Sequence, residues 1–182
     1  MTDPRPPLLG LDEALARLRQ GAPGHVIGQT QTVPTFDALG RVLAEALHSG
    51  IDVPAADNSS MDGYALRAAD AAAAGALLPV SQRIPAGVVG QPLAPLSAAR
   101  IFTGAQIPPG ADTVLMQEQA EALSGAGLGA LRVLVPPKAG DWIRRRGEDV
   151  MAGAVVLARG ARLTPQALGL AAGVGAATLP VV

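Results

Sequence analysis

The spacing of leucines near the start of the chain indicates an amphipathic helix. Four leucines recur at steps of three and four residues, with charged residues between them: Leu8, Leu11, Leu15 and Leu18. This periodicity places the leucines on one face of a helix over residues 8–20, and Gly21 follows as the residue that ends it. Residues 29–35 alternate and contain β-forming side chains, which predicts a strand.

The segment that follows is ambiguous. Residues 36–41 are predicted to form a short helical turn. Residues 42–48 fit either a helix or a strand, because Leu39, Leu43 and Leu47 keep helical spacing while the Ser-Gly-Ile-Asp-Val-Pro that comes next is typical of an extended segment.

The middle of the chain predicts a β-rich unit. Four short apolar runs are separated by proline and glycine: residues 78–84, 99–103, 113–120 and 131–135. Short runs at regular spacing, with turn residues between them, are typical of strands. Residues 124–127, Ser-Gly-Ala-Gly, are predicted to form a hairpin tip. The alanine-rich segment 65–76 fits either a weak helix or a loop.

The clearest helix signal lies near the carboxyl end. Thr164 is a suitable cap, Pro165 suits the first helical position, residues 166–172 have helical character, and Gly173 ends the helix. The chain then finishes inside an apolar run, residues 174–182. From this ending we expect either a cut chain or an end that is covered by a partner.

These elements predict two units of the α+β class, in which strands predominate. A short strand at residues 154–158 and the terminal helix join the amino-terminal elements in a mixed helix–strand domain, residues 1–52 plus 150–182. The β-rich middle, residues 53–149, is expected to be inserted into it as a second domain.

Composition narrows the class of protein. Apolar residues make up 49% of the 182 residues and charged residues 16%, which argues against disorder. The formal net charge of −1 argues against general nucleic-acid binding, which needs a basic surface. The absence of cysteine excludes disulfides, thiolate zinc sites and thiol catalysis. Residues 1–7 lack the apolar core of a signal peptide and no apolar run could span a membrane, so we expect a cytoplasmic protein without a membrane partner.

Residues 57–62 form a polar cluster in a part of the chain that is otherwise mostly apolar. They bring together two carboxylates, an amide and two hydroxyls, and the only tyrosine follows behind a glycine. Carboxylate and amide oxygens are the hard ligands that Mg²⁺ prefers. The competing interpretation is a turn whose side chains cap their own backbone, and on local sequence alone the turn is favoured.

Two predicted strand ends also carry candidate chemistry. The run that ends at Thr103 and Gly104 would expose a hydroxyl and backbone N–H groups to an anion such as phosphate. A strand followed by a proline turn is the simpler interpretation and is favoured when this run is taken alone. Glu118 stands at the polar end of another predicted strand, where it would serve a metal, a partner or only the solvation of the strand end.

A run of three arginines, Arg144, Arg145 and Arg146, lies just before Glu148 and Asp149. Guanidinium groups bind phosphate or carboxylate groups through two parallel hydrogen bonds. The neighbouring acids would pair with the arginines or hold a metal that the phosphates share. A solvated surface run of mixed charge is an equally good interpretation.

Together and in this order, the motifs closely resemble those of the MoeA-type molybdopterin molybdenumtransferases, a family related to the E domain of gephyrin. The resemblance covers the chain from Leu9 onward. It rests on five motifs: Asp52-Val-Pro with Asp57-Asn-Ser-Ser-Met-Asp-Gly-Tyr64, Ile101-Phe-Thr-Gly-Ala105 with Pro109-Gly-Ala-Asp112, Val114-Leu-Met-Gln-Glu118, Arg144-Arg-Arg-Gly-Glu-Asp149, and Leu163-Thr-Pro165. Five motifs in order, at compatible spacing, are far more specific than any one of them.

The resemblance implies a reaction and an assembly. The family inserts molybdenum from molybdate into adenylylated molybdopterin with release of AMP, and the reaction depends on a divalent cation such as Mg²⁺. Its members are homodimers, and the site lies between the β-rich second domain of one subunit and the pterin-binding third domain of the other. Residues 1–52 plus 150–182 would then carry the dimerisation contact, and this chain would supply the amino-terminal half of a shared site.

The resemblance also implies roles for individual residues. Matched residue by residue, the catalytic positions fall on Asp62, Thr103 and Asp149. The residues predicted to bind substrate are Ser59, Gly104, Arg144, Arg145 and Arg146. The predicted ligands of Mg²⁺ are Asp62, Asp149 and Glu118. We expect Asp57, Asn58 and Ser59 to form the turn that presents Asp62, and Thr103 to position an oxygen of the phosphate or oxyanion.

The chain departs from the family pattern in places. Ala56 stands where a bulky aromatic residue is usual, and Ser60 where alanine is common, but the acids are retained. Family members continue into a three-layer α/β domain with a Ser-Thr-Gly-Asp-Glu-type motif and a small β-domain, neither of which follows Val182. We therefore expect this chain to need those domains for turnover. The alternative function is a non-catalytic dimerisation or scaffold module of the same family.

Overall fold

A computed structural model describes residues 8–25 and 28–182 and forms them into two α-helices and twelve short strands. Helix α1 spans Leu11–Gly21 and helix α2 spans Pro165–Gly173. The strands are β1 (Gln31–Pro34), β2 (Leu47–His48), β3 (Asn58–Ser59), β4 (Gly63–Leu66), β5 (Leu77–Ile84), β6 (Ala98–Ile101), β7 (Thr113–Met116), β8 (Ala120–Leu123), β9 (Ala130–Val133), β10 (Ile143–Arg144), β11 (Val155–Leu157) and β12 (Thr178–Val181). The predicted class, mixed α and β with strands predominating, is confirmed.

Residues 1–7, where no signal peptide is predicted, and residues 26–27 lie outside the described part of the chain. Among the residues that are described, neither helix has the length and apolar character needed to cross a membrane.

Both predicted helices are confirmed. Helix α2 begins at Pro165, and the backbone N–H of Ala167 donates to the Thr164 hydroxyl at 3.3 Å, so Thr164 caps the helix as predicted. Helix α1 begins three residues later than the leucine spacing suggests, because Leu8–Gly10 lie outside its first turn.

Contacts within the chain divide it into two units. The first comprises Met1–Ala46, Leu157–Ala172 and Ala176–Val182, and the second comprises Leu47–Val156 and Gly173–Gly175. The predicted domain boundaries, at 52/53 and 149/150, lie a few residues inside the second unit and stay a prediction.

The first unit is held together by pairing between its two chain segments. Strands β1 and β12 are antiparallel, with Gln31 opposite Val181 and Pro34 opposite Thr178. The segment that fitted either a helix or a strand is extended here, since Leu43 forms an isolated bridge with Val181. The core of this unit is aliphatic and includes Leu43, Leu163, Leu168, Leu179 and Val181.

The second unit is built on a six-stranded sheet with the strand order β7-β4-β6-β5-β9-β8. All neighbours are antiparallel except β5 and β6, which are parallel. Both faces are covered, because one apolar cluster forms around Tyr64, Leu66 and Leu131 and another around Ala65, Ile84 and Ile101. Residues 124–127 lie between β8 and β9, which confirms the predicted hairpin tip.

Two sequence predictions in this unit need correction. Ala65 and Leu66, placed in a weak helix or loop, are buried in β4 between β6 and β7, because pairing on both sides overrides the helical preference of alanine. The run 113–120, read as one strand, is interrupted by a 3₁₀ turn at Gln117–Gln119 that separates β7 from β8. These changes place Asp62 directly before β4, and Gln117 and Glu118 directly after β7.

Candidate functional site

Asp62 and Thr103 are brought together at the ends of two neighbouring strands. Asp62 directly precedes β4 and Thr103 lies two residues beyond the end of β6, and these strands are antiparallel with Gly63 opposite Ile101. Asp62 Oδ1 accepts hydrogen bonds from both the backbone N–H and the hydroxyl of Thr103, each at 2.8 Å. The two residues that the resemblance implies as catalytic therefore form one hydrogen-bonded pair.

This geometry favours the charged form of Asp62. The N–H of Thr103, the Thr103 hydroxyl and, more weakly, the positive charge of Arg100 all hold the pKa of the Asp62 carboxyl below its usual value. Asp62 Oδ2 makes no hydrogen bond to any described residue. The pair thus presents an ionised carboxylate with one oxygen fixed and the other available.

Arg100 anchors the residues on the other side of Asp62. Its guanidinium donates to Gly63 O at 3.3 Å and to Gln117 Oε1 at 2.7 Å. Gln117 in turn donates to Glu118 Oε1 at 3.1 Å, so the predicted metal ligand Glu118 is linked to the same group of residues. No role for Arg100 is predicted from the sequence, because its contacts with Gly63 and Gln117 depend on strand pairing. The signal that marks it is a charged residue between the apolar Ala99 and Ile101.

The polar stretch forms the predicted turn. Ser59 is buried, its hydroxyl donates to Met61 O at 2.5 Å, and Asn58 Nδ2 donates to Ala56 O at 3.3 Å. The predicted contact of Ser59 with substrate stays a prediction, since in this structure its hydroxyl closes the loop before Asp62.

The N–H groups after β6 bond within the chain. One of the two sequence interpretations had them face a bound anion, but Thr103 N–H donates to Asp62 and Gly104 N–H donates to Ser59 O at 2.8 Å. In this structure both donors hold the loop that carries Asp62, and the predicted contact of Gly104 with substrate stays a prediction. Gly104 itself is exposed and lines an open cavity of about 280 Å³ together with Asn58 and Gln106.

The arginine run is paired with the polar stretch. Strands β3 and β10 are antiparallel, with Ser59 opposite Ile143 and Asn58 opposite Arg144. Each of the three guanidinium groups contacts a carboxylate: Arg144 with Asp149 at 2.5 Å, Arg145 with Asp57 at 2.7 Å and Arg146 with Asp52 at 2.5 Å. The run therefore fastens the turn, and its predicted binding of substrate stays a prediction.

Electrostatics support this fastening. The N–H of Ala152 and the Arg146 guanidinium lower the pKa of the Asp52 carboxyl, and the N–H of Arg146 followed by the Arg145 guanidinium lowers the pKa of Asp57. The carboxylate of Asp149 raises the pKa of Arg144. The sequence predicted pairing of the arginines only with the neighbouring Glu148 and Asp149. Asp57 lies 88 positions from Arg145 and Asp52 lies 94 positions from Arg146, so no local pattern indicates these pairs.

Asp57→Asn is expected to destabilise the second unit by about 1 kcal/mol at pH 7, since it removes the charge that Arg145 and Arg146 contact at a partly exposed site. Because the pKa of Asp57 is lowered in the folded state, its contribution is complete above the unfolded pKa, about 4, and is lost as the pH falls through the folded pKa. Urea unfolding midpoints from pH 7 to pH 3 should therefore converge between mutant and wild type.

Glu121→Gln is the matched control for Asp57→Asn. Glu121 pairs with Arg132 at 2.6 Å on the exposed face of the same unit, and its loss is expected to cost about 0.5 kcal/mol or less. An Asp57→Asn effect of the same size at pH 3 and pH 7 would contradict the assigned role of the ionised carboxylate.

The described residues offer a Mg²⁺ ion one or two carboxylates and no complete set of ligands. Within residues 8–25 and 28–182, no three His, Cys, Asp or Glu side chains cluster closely enough to hold an ion between them. Mg²⁺ commonly uses one or two carboxylates and takes its other ligands from water and substrate phosphates. Asp62, with its available Oδ2, fits such a position. Asp149 offers its second oxygen, since Arg144 holds Oδ2, and no hydrogen bond among the described residues links Asp149 to Asp62.

Comparison with known proteins gives a consistent result. Residues 9–175 match the family model described as the MoeA N-terminal region (domain I and II). The chain is 44% identical over 156 residues to molybdopterin molybdenumtransferase 2 of Mycobacterium tuberculosis, covering 83% of this chain and 38% of that protein. It is 42% identical over 160 residues to the molybdopterin molybdenumtransferase of Bacillus subtilis, covering 85% of this chain and 37% of that protein.

The fold is likewise similar to that of a solved structure. The crystal structure of the molybdopterin biosynthesis MoeA protein from Pyrococcus horikoshii is 37% identical, has a TM-score of 0.77 and covers 85% of this chain and 41% of that one. The chain thus spans less than half the length of the relatives that it matches.

Proposed function

Since this chain belongs to the MoeA family, of which it contains the N-terminal region, we propose that it is the amino-terminal part of a molybdopterin molybdenumtransferase. Its relatives carry that name, which supports a place in molybdenum cofactor biosynthesis. The proposed reaction inserts molybdenum from molybdate into adenylylated molybdopterin and releases AMP.

The observation that carries this proposal is the pair formed by Asp62 and Thr103. Two donors from Thr103 fix one carboxylate oxygen of Asp62, and both residues stand at the ends of strands in a six-stranded sheet. A carboxylate that is already oriented and ionised needs no rearrangement when a cation or a substrate arrives, which is the condition for electrostatic catalysis.

The proposed substrates explain why an ionised carboxylate is useful here. Molybdate and the diphosphate of the adenylylated pterin are both anions and repel each other. Mg²⁺ held by Asp62, with Asp149 as a second ligand, would supply positive charge to the phosphate oxygens. The Thr103 hydroxyl donates to Asp62, and we assign Thr103 to positioning that carboxylate. Its expected contact with an oxygen of the phosphate or oxyanion stays a prediction.

The arginine run contributes to the same task through the loop. Arg145 and Arg146 fasten Asp57 and Asp52 at the base of the polar stretch, and Arg144 holds Asp149. Direct contact with substrate would require a guanidinium to exchange its carboxylate partner for a phosphate. Such an exchange would release Asp149 for the cation at the moment when the phosphate is bound.

The rest of the site is proposed to come from carboxyl-terminal domains of the enzyme and from a second subunit. Helix α1 supports the homodimer, because none of its residues is buried and its leucines are exposed, Leu11 to 75% and Leu18 to 70%. An apolar helix face that the described residues leave exposed is typical of protein interfaces. The same observation fits the alternative function of a dimerisation or scaffold module, which the release of AMP would distinguish from an enzyme.

Replacement of Thr103 tests the proposed function. In the full-length enzyme that carries this region, Thr103→Val should lower Mg²⁺-dependent AMP release about tenfold or more, because it removes the hydroxyl that orients Asp62. Thr103→Ser keeps that hydroxyl and should retain activity within about threefold. Equal activity of the valine variant and the wild type would contradict the role of the pair.

A further inference from the structure

Two arginines lie directly opposite each other in the six-stranded sheet. Arg83 of β5 is the register partner of Arg100 in the parallel pair with β6, and Arg100 is also the register partner of Tyr64 in β4. Three neighbouring strands therefore place these side chains in one row. Like charges at opposed positions destabilise a sheet, so the row has an energetic cost unless something offsets the charge.

The chain itself offsets little of this charge. Neither arginine forms a salt bridge within the described residues, and the Arg83 guanidinium makes no hydrogen bond to any of them. Arg100 donates to the neutral acceptors of Gly63 and Gln117, and its charge contributes to lowering the pKa of the Asp62 carboxyl. By contrast, four other arginines of the same unit each form a salt bridge with a carboxylate: Arg132, Arg144, Arg145 and Arg146.

An aromatic ring holds both guanidinium groups in place. The guanidinium carbons of Arg83 and Arg100 each lie 4.7 Å from the centroid of the Phe102 ring, and that of Arg100 lies 5.1 Å from the Tyr64 ring. Stacking on a ring orients a guanidinium without using its N–H donors. Arg83 is thereby oriented while all of its side-chain donors remain available for a ligand.

A cavity adjoins the two arginines. It measures about 160 Å³, and its lining includes Arg83, Arg100 and Tyr64 together with the apolar side chains of Val80 and Leu123. Arg100, which lines this cavity, donates to the carbonyl of Gly63, the residue that follows Asp62, so the cavity lies close to the Asp62–Thr103 pair. Two guanidinium groups and several apolar side chains line the same cavity, and this combination suits an organic anion.

We propose that Arg83 and Arg100 form a binding site for the phosphate groups of an organic ligand. A diphosphate carries several negative charges and acceptors in the geometry that guanidinium forks match, whereas a single carboxylate would offset only one of the two charges. The use of this site for the diphosphate of the transferase substrate rests on the proposed function. The binding of phosphate does not.

Titration of the 182-residue chain with inorganic pyrophosphate, followed by calorimetry, tests the site. Arg83→Gln should weaken binding about tenfold or more, as expected for loss of a charge-assisted hydrogen-bonding group. Arg132→Gln is the matched control, because it removes the same charge from the same sheet but from an arginine that Glu121 already holds, and it should change affinity by less than about twofold.

A second measurement separates binding from folding. Without ligand, Arg83→Gln should melt at the same temperature as the wild type or higher, because the opposed charges are relieved. Arg83→Lys keeps the charge without the fork and should bind with intermediate affinity.

Three results would overturn the site: no binding of pyrophosphate by the wild type, equal weakening by Arg83→Gln and Arg132→Gln, or tighter binding of molybdate than of pyrophosphate. Failure of the proposed function would look different. The full-length enzyme would then release no AMP, while pyrophosphate binding and its dependence on Arg83 persisted.

Discussion

Gly63→Ala is expected to unfold the six-stranded sheet or to destabilise it by more than about 3 kcal/mol. A Cβ at Gly63 would lie 2.0 Å from Leu115 O, 2.9 Å from the Leu115 carbonyl carbon and 3.1 Å from Met116 Cα. All three are backbone atoms of β7, so no side-chain rotation relieves the clash. Strand β4 cannot retreat either, because β6 is hydrogen-bonded to its other edge.

Thermal unfolding followed by circular dichroism measures this effect. Gly169→Ala is the control, because Gly169 lies in α2 with nothing within 4 Å of an added Cβ, and its replacement should stabilise the helix by about 0.5–1 kcal/mol. A Gly63→Ala protein that melted with the wild type would show that β4 and β7 do not approach as closely as described.

The glycine matters to the site as well as to the sheet. Gly63 follows Asp62 directly, and its carbonyl accepts a hydrogen bond from Arg100. Any shift of β4 away from β7 would therefore displace the carboxylate from Thr103. Strand β4 can approach β7 this closely only because Gly63 has no side chain. The position of the Asp62 carboxylate depends on the same approach.

The sequence predicts those elements whose signals are local. Thr164, Pro165 and Gly173 mark both ends of α2 without help from the rest of the chain, and the structure confirms each of them. Strand β4 shows the limit of this reasoning. Its Ala65 and Leu66 have no strand signal of their own, and their conformation comes from two partner strands that are remote in sequence.

The same distinction applies to the candidate site: its residues were predicted from local motifs, but the contacts between them were not. Asp62 and Thr103 were marked by their motifs, and the expected turn before Asp62 is present. What the sequence did not reveal was how Thr103 holds Asp62, or that Asp52 and Asp57 pair with the arginine run. These contacts depend on the register of β4 with β6 and of β3 with β10, which no local pattern encodes.

Asp62→Asn is expected to slow AMP release strongly while leaving the fold intact. The amide retains the size of the side chain and one oxygen that can accept from Thr103, but it loses the negative charge that a cation would require. Removal of one preorganised electrostatic group commonly lowers turnover by about 100-fold or more. The full-length enzyme should therefore lose AMP release to at least that extent.

The control for this change is Asp70→Asn. Asp70 belongs to the same unit and accepts a backbone hydrogen bond from Leu96 at 2.7 Å, but it makes no hydrogen bond to Thr103 or Arg100. Its replacement removes the same charge and should leave AMP release within about twofold of the wild type, since it acts on neither residue of the pair.

The most direct test of the Asp62–Thr103 site is Mg²⁺-dependent release of AMP from adenylylated molybdopterin in the presence of molybdate. The Asp62→Asn enzyme, matched in melting temperature to the wild type, should release AMP at least about 100-fold more slowly. Release at the wild-type rate, with the same dependence on Mg²⁺, would contradict the assignment of Asp62 to the reaction.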